Sequence, residues 1–168
     1  VEHHAALPWR EIGAFMPLLR KIEGMGARAL EFGILCAARS GEVRGAPWAE
    51  IDLEAAVWTV PAERMKAGKE HIIPLTDSTL AILERIRPLS GRREHLFPNR
   101  GKPLEHMHPS TLNITLKRLG FQDRQTAHGV RALGSTTLNE AGFNHMVVEA
   151  ALAHGLQDKV AASYNHAN

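Results

Sequence analysis

The sequence predicts a mainly α-helical domain that carries one small three-stranded antiparallel sheet. In most of the 168 residues, apolar side chains recur every three or four positions, and several such segments end at a glycine. Residues 51–75 differ, because short runs rich in β-branched residues alternate there with Gly and Pro. Hydrophobic residues form 44% of the chain, which is enough for one packed core.

Three helices are predicted before the sheet. The first spans 7–24, has Pro8 near its start and ends at a glycine. Its apolar stripe consists of Ile12, Phe15, Leu18, Leu19 and Ile22. The second spans 27–41 and is apolar enough to be largely buried. The third is a short helix within 41–48 that stops before Pro47.

The three strands are predicted at 51–61, 63–68 and 70–75, with a tight turn at Ala67-Gly68. Helices then return, and residues 90–108 between two of them form a basic loop rich in Gly and Pro. These later helices are predicted at 76–89, 108–120, 127–142, 144–155 and 156–167.

Composition excludes some classes of protein and favours a reducing compartment. No run of about 18 apolar residues is present, so no membrane span is predicted. The first residues lack the layout of a secretory signal. Cys36 is the single cysteine and lies in an apolar run, which indicates a buried thiol and excludes an internal disulfide. We therefore expect a cytoplasmic protein.

Positive charge is concentrated in the middle of the chain. Residues 64–131 hold thirteen Lys or Arg against six Asp or Glu, whereas the whole chain has a net charge of only +2. Such a segment is either an ordinary solvated face or a surface for a polyanion such as DNA. If it faces DNA, the residues expected to contact the duplex are Lys69, Arg92, Arg93, Arg100 and Lys102.

Six side chains are candidates for chemistry: Arg39, Lys66, His128, Arg131, His154 and Tyr164. Each has an ordinary explanation by itself. An arginine or histidine near a helix end is usually a cap or a satisfied core residue, and a lysine at a hairpin tip usually serves solubility. Tyr164, the single tyrosine, lies four residues from the C-terminus and could be incidental.

In combination, these residues resemble the active site of the tyrosine recombinases, the phage integrase family. The order Arg, Lys, His-x-x-Arg, His and Tyr, with the lysine on a three-stranded sheet, is typical of that family. The segments at 38–75 and 149–167 resemble integrases of P4-like phages and genomic islands in particular. The resemblance covers residues 7–166 and implies the tyrosine recombinase catalytic-domain fold. It also implies a site-specific recombinase that integrates or excises a mobile element.

The resemblance assigns Tyr164 as the nucleophile that forms a 3′-phosphotyrosyl bond with DNA. A phenol has a pKa of about 10, so it needs cations and a base nearby. Arg39 and Arg131 are expected to grip the attacked phosphate, because guanidinium is planar, bidentate and always charged. Lys66 is the expected general acid for the leaving 5′-oxygen.

Three further residues have supporting roles in this hypothesis. His128 is expected to exchange a proton with the tyrosine and phosphate region, and His154 to donate a hydrogen bond to the phosphate. From its spacing, Glu42 is expected to brace Arg39 from behind. No metal or other cofactor is expected, because two arginines and a lysine supply the positive charge.

Three alternatives stay open from the sequence. Ten histidines suggest a structural metal, but metal-binding spacings such as His-Glu-x-x-His or paired Cys-x-x-Cys do not occur. A DNA-binding module without catalysis would keep the basic middle segment but would not need Tyr164 and Lys66. A type IB topoisomerase would share the chemistry, although the "HGVR" and "LAHG" segments favour a recombinase.

The resemblance also gives an expectation for domains and partners. Residues 1–168 are expected to form a single catalytic domain, with 1–7 as a linker remnant and without the N-terminal arm- and core-binding domains of such integrases. The expected partners are double-stranded DNA at attachment sites and three further copies of the protein in a synaptic tetramer.

Overall fold

The structure, a computed structural model, describes residues 5–153 as a helical domain with one small sheet. The described part contains seven α-helices, which are α1 (Ile12–Lys21), α2 (Met25–Leu35), α3 (Ser40–Arg44), α4 (Asp77–Ser90), α5 (Thr111–Arg118), α6 (Val130–Glu140) and α7 (His145–Ala151). The predicted fold class is therefore confirmed, and the helix predicted at 156–167 lies outside the described residues. None of the helices in the described part is both long and apolar enough to cross a membrane.

Helix α2 forms the centre of the core and contacts α1, α3, α4, α5 and α6. Its Phe32 side chain is fully buried between Trp58 of the sheet and Phe97, with ring centroids 5.4 and 5.8 Å away. The thiol of Cys36 is buried just after this helix, and burial raises its pKa to about 12. In α1, the predicted apolar stripe is correct except at Leu18, which is 44% exposed.

The sheet has the predicted number of antiparallel strands in a different arrangement. Strands β1 (Ile51–Asp52), β2 (Val57–Val60) and β3 (His71–Pro74) lie in the order β1-β2-β3. The segment predicted as one strand at 51–61 is divided by a turn, in which the Asp52 carboxylate accepts the Ala55 N–H at 2.8 Å. The strand predicted at 63–68 is wrong.

Residues Ala62–Arg64 instead form one turn of 3₁₀-helix, and a tight turn follows. The Gly68 N–H donates to the Met65 carbonyl at 3.0 Å, and Gly68 has a φ of +63°, which glycine adopts without steric cost. The turn predicted at Ala67-Gly68 is therefore confirmed, but it links a 3₁₀-helix to β3 rather than two strands.

The long second helix predicted at 27–41 ends at Leu35. Ala37 has a φ of +48°, and the N–H groups of Ala37 and Ala38 return to the carbonyls of Ile34 and Gly33. This is a Schellman termination in which alanine occupies the position that glycine usually takes. The chain then restarts as α3, so Arg39 precedes a helix instead of capping the end of one.

Candidate active site

The carboxylate of Glu42 holds Arg39 at two points. Its Oε2 accepts the Arg39 backbone N–H at 3.0 Å, and its Oε1 accepts the Arg39 Nη1 at 2.8 Å. Glu42 lies in the first turn of α3 and is buried, whereas the Arg39 side chain is 29% exposed. Charge-assisted hydrogen bonds therefore fix this guanidinium while part of it stays open to a ligand.

Arg131 lies in the first turn of α6, beside the Arg39–Glu42 pair. Its Nη2 donates to the backbone carbonyl of Leu152. Burial, and after it the positive charge of Arg39, lower the pKa of Arg131 to about 10, while Glu42 and Glu149 oppose the change. The Arg131 guanidinium is thus charged at neutral pH and lies close enough to the Arg39 guanidinium for the two positive charges to repel each other.

Close backbone packing brings the two arginines together. Gly134 follows Arg131 by three positions and faces Ala37 in the turn that leads to Arg39. A Cβ atom at position 134 would lie 3.1 Å from the Ala37 Cβ, which is tighter than ordinary van der Waals contact. Glycine at this position therefore lets α6 approach the turn between α2 and α3.

His71, the first residue of β3, also belongs to this group, although it was not a candidate from the sequence. Its ring donates a hydrogen bond to the Ala151 carbonyl at the end of α7. Burial is the main cause of a lowered His71 pKa, and Arg131 and Arg39 add to the lowering while the Ala151 bond and Glu42 oppose it. The available signal was strand alternation, which places His71 on the same face as buried Ile73.

Lys66 lies in the exposed turn between the 3₁₀-helix and β3. It forms no hydrogen bond or ion pair with any side chain or backbone group within residues 5–153. The residue before it, Met65, is buried in the core and is 5% exposed. The turn is therefore anchored on one side of Lys66, whose own side chain is exposed.

His128 lies in the turn just before α6 and is exposed. This turn is fixed to distant parts of the chain: the Ala127 N–H donates to Asn113 Oδ1 at 2.9 Å, and the Thr126 N–H donates to the Ala5 carbonyl at 2.9 Å. The predicted residues His154 and Tyr164 lie outside the described residues.

The predicted DNA-contacting residues are all on the surface. Lys69 is in the Lys66 turn, and the other four lie in the connection between α4 and α5: Arg92, Arg93, Arg100 and Lys102. Lys102 forms an exposed ion pair with Glu105 at 3.1 Å. Within residues 5–153, no group of three or more His, Cys, Asp or Glu side chains lies close enough to hold a metal ion.

Comparisons with known proteins identify relatives over nearly the whole chain. The model of the phage integrase family matches residues 11–168. Prophage integrase IntA of Escherichia coli (strain K12) is 46% identical over 135 residues, which are 80% of this chain and 33% of that relative. The integrase of Enterobacteria phage P4 is 30% identical over 181 residues, which are 98% of this chain and 41% of that relative.

A solved structure has the same fold. A lambda integrase tetramer bound to a Holliday junction matches with a TM-score of 0.70 at 17% identity, covering 95% of this chain and 49% of that chain. The fold expected from the family resemblance is therefore confirmed. The chain spans only about a third to two fifths of the two curated relatives described above.

The His71 environment predicts a loss of stability in mild acid. Because the folded-state pKa of His71 is lowered, the unfolded chain binds its proton more readily, so stability falls as the pH drops below the ordinary histidine value of about 6.5. His71→Gln keeps an N–H donor for the Ala151 carbonyl but cannot titrate.

The measurement is the melting temperature at pH 7.5 and pH 5.5. We expect the difference between the two values to be smaller for His71→Gln than for the unmodified chain. His145→Gln, which removes an exposed histidine at the start of α7, is the matched control. Equal pH dependence in His71→Gln and the unmodified chain would contradict the assignment.

Proposed function

Because the chain belongs to the phage integrase family, we propose that it is the catalytic domain of a site-specific DNA recombinase. It cleaves and rejoins DNA strands through a 3′-phosphotyrosyl intermediate, and so integrates or excises a mobile element. Integrases of E. coli and of phage P4 are its relatives by sequence, which supports this substrate and reaction. The place of action is then the bacterial cytoplasm, where the chromosome lies.

One observation carries the proposal: two guanidiniums share a partly buried site. Such an arrangement is unfavourable when empty, because the charges repel and have lost part of their hydration. A phosphodiester between them would relieve the repulsion and accept planar, charge-assisted hydrogen bonds from both. The bonds strengthen as negative charge grows on the phosphate oxygens in the transition state.

The proposed step transfers a phosphodiester without loss of its bond energy. The Tyr164 oxygen forms a bond to phosphorus while the bond from phosphorus to the 5′-oxygen breaks. The phenol proton passes to His128, the leaving 5′-oxygen takes a proton from Lys66, and His154 donates a hydrogen bond to the phosphate. Attack by a 5′-hydroxyl reverses the step and rejoins the strand.

The proposed partners are double-stranded DNA and further copies of the protein. Exposed Lys69 and the four exposed cations of the connection between α4 and α5 bind backbone phosphates, and their charge steers association. Lambda integrase, which has a related fold, forms a tetramer on a Holliday junction in its solved structure. This supports a tetrameric synapse for the present chain.

Covalent adduct formation tests the function. The chain is mixed with nicked duplexes that carry candidate attachment sites, and protein linked to DNA is measured after denaturation. We expect an adduct with the unmodified chain and none with Tyr164→Phe. Arg131→Lys should form it about 10²–10³-fold more slowly, because an ammonium lacks the planar pair of donors.

Arg85→Lys is the matched control for this substitution. Arg85 is an exposed arginine of α4. Its ion-pair partner at 3.1 Å is Glu23, which is not one of the proposed site residues. Adduct formation by Tyr164→Phe at the unmodified rate would contradict the assignment of the nucleophile. An unchanged rate in Arg131→Lys would contradict the phosphate grip.

Salt dependence tests the basic surface. Each phosphate contact releases counterions, so affinity for a short duplex should fall linearly on a plot of log K against log salt concentration. Replacing Arg92 and Arg93 together by Gln should reduce that slope by about two, one for each lost contact. Arg85→Gln is the control for charge alone, and a salt-independent affinity would contradict DNA binding by this surface.

A leaving-group comparison tests Lys66 as the general acid. An alkoxide leaves poorly without a proton, whereas a thiolate leaves readily without one. Lys66→Ala should therefore cleave ordinary DNA about 10²–10⁴-fold more slowly, yet cleave DNA with sulfur at the bridging 5′ position nearly as fast as the unmodified chain. Tyr164→Phe should cleave neither substrate. Equal slowing of Lys66→Ala on both substrates would make Lys66 a phosphate-binding cation instead.

A further inference from the structure

We propose that Arg64 is a positioning residue for Lys66, and that it does this by clamping the start of the Lys66 turn to the helix that holds Arg39. The inference rests on the proposed function, since it concerns the same reaction. Arg64 ends the 3₁₀-helix Ala62–Arg64 and precedes Lys66 by two residues.

The guanidinium of Arg64 joins two parts of the molecule. Its Nη2 donates to the Glu42 backbone carbonyl at 2.9 Å. Its Nε and Nη2 also donate to the two carboxylate oxygens of Glu50, at 2.7 and 3.1 Å. One side chain therefore links the Lys66 turn to α3 and to the segment that enters β1.

Glu50 is itself fixed to the core. Its Oε2 accepts the indole N–H of Trp58 at 2.8 Å, and Trp58 is fully buried in β2. The Glu50 side chain is only 9% exposed, and that of Arg64 is 26% exposed. The planar guanidinium is thus held by partners that cannot easily move, so it defines a position more sharply than a flexible ammonium would.

The backbone around Arg64 is shaped to admit this side chain. A Cβ atom added at Gly45, just after α3, would lie 2.6 Å from the Arg64 Nη1. Such a distance is too short, so any larger residue at position 45 would displace the guanidinium. Gly45 has a φ of −89°, which does not require glycine, so the close neighbours explain it: chiefly Arg64, and also the Gly41 carbonyl oxygen, which would lie 3.3 Å from a Cβ atom.

These contacts fix the position of the proposed acid, Lys66, relative to the proposed phosphate ligand, Arg39. The side chain of Glu42 holds Arg39, and the backbone carbonyl of the same residue holds Arg64. Between Arg64 and Lys66 there is only Met65, which is buried. Shifting Arg64 therefore shifts the base of the Lys66 turn relative to Arg39, and a displacement of about 1 Å can cost about 10²-fold in rate.

Two variants disturb the clamp in different ways. Arg64→Lys keeps a positive charge beside Glu50, which avoids leaving a buried carboxylate unpaired, but one ammonium cannot reproduce both the paired contact and the contact with Glu42. Gly45→Ala leaves Arg64 in the sequence and pushes its guanidinium aside. Melting temperatures establish that each variant is folded under the assay conditions.

Single-turnover cleavage is measured on ordinary DNA and on DNA with sulfur at the bridging 5′ position, at saturating protein concentration. We expect both variants to cleave ordinary DNA about 10–100-fold more slowly and the sulfur substrate at nearly the unmodified rate. Adding Arg64→Lys to Lys66→Ala should slow cleavage of ordinary DNA no further, because both changes remove the same contribution. Arg85→Lys is the control for loss of an exposed arginine.

The outcomes separate this inference from the proposed function. Equal slowing on both substrates, no slowing on either, or additive effects in the double variant would overturn the role of Arg64 while the recombinase assignment stands. If Lys66→Ala itself showed no preference for the sulfur substrate, the acid and its positioning residue would both be wrong. If the unmodified chain cleaved neither substrate, the function would fail, and this inference with it.

Discussion

The arrangement of the site depends on one buried carboxylate that allows two like charges to share a small volume. Arg39 and Arg131 repel each other, and burial has already removed part of the water that would screen them. Glu42 offsets this cost because it is buried and accepts two hydrogen bonds from Arg39. The helix that carries Glu42 is only five residues long, so its position has to come from its neighbours.

Those neighbours are parts of the chain that are far apart in sequence. The Schellman termination of α2 directs the chain into α3, and Gly134 lets α6 lie close to that turn. Arg64, which follows β2 in the chain, donates to the backbone carbonyl of Glu42 in α3. Three segments of the chain thus meet at this positively charged site, and each contributes a polar group that is held by a hydrogen bond. Such preorganisation keeps donors in place before charge develops on a substrate.

Much of this could be predicted from the sequence, and the failures have physical causes. Apolar periodicity located the helices because burial of one face dominates their stability. The end of α2 was missed because Ala37 adopts a backbone conformation that usually signals itself as glycine. One predicted strand was wrong. Residues 63–68 are held by burial of Met65 and by the side-chain hydrogen bonds of Arg64, and not by backbone hydrogen bonds to a neighbouring strand. His71 and Arg64 were not candidates because their importance lies in contacts with residues far away in sequence. Local residue spacing does not predict such contacts.

The end of α7 connects the paired arginines to the stability of that helix. The carbonyls of Ala151 and Leu152, at the end of α7, accept hydrogen bonds from His71 and Arg131. Arg131 therefore donates to the end of α7 from a position where it also bears the repulsion of Arg39. An anion between the two arginines would offset that repulsion and so favour the contact of Arg131 with α7. Thermodynamic reciprocity then requires that docking of α7 raises the affinity for the anion by the same factor.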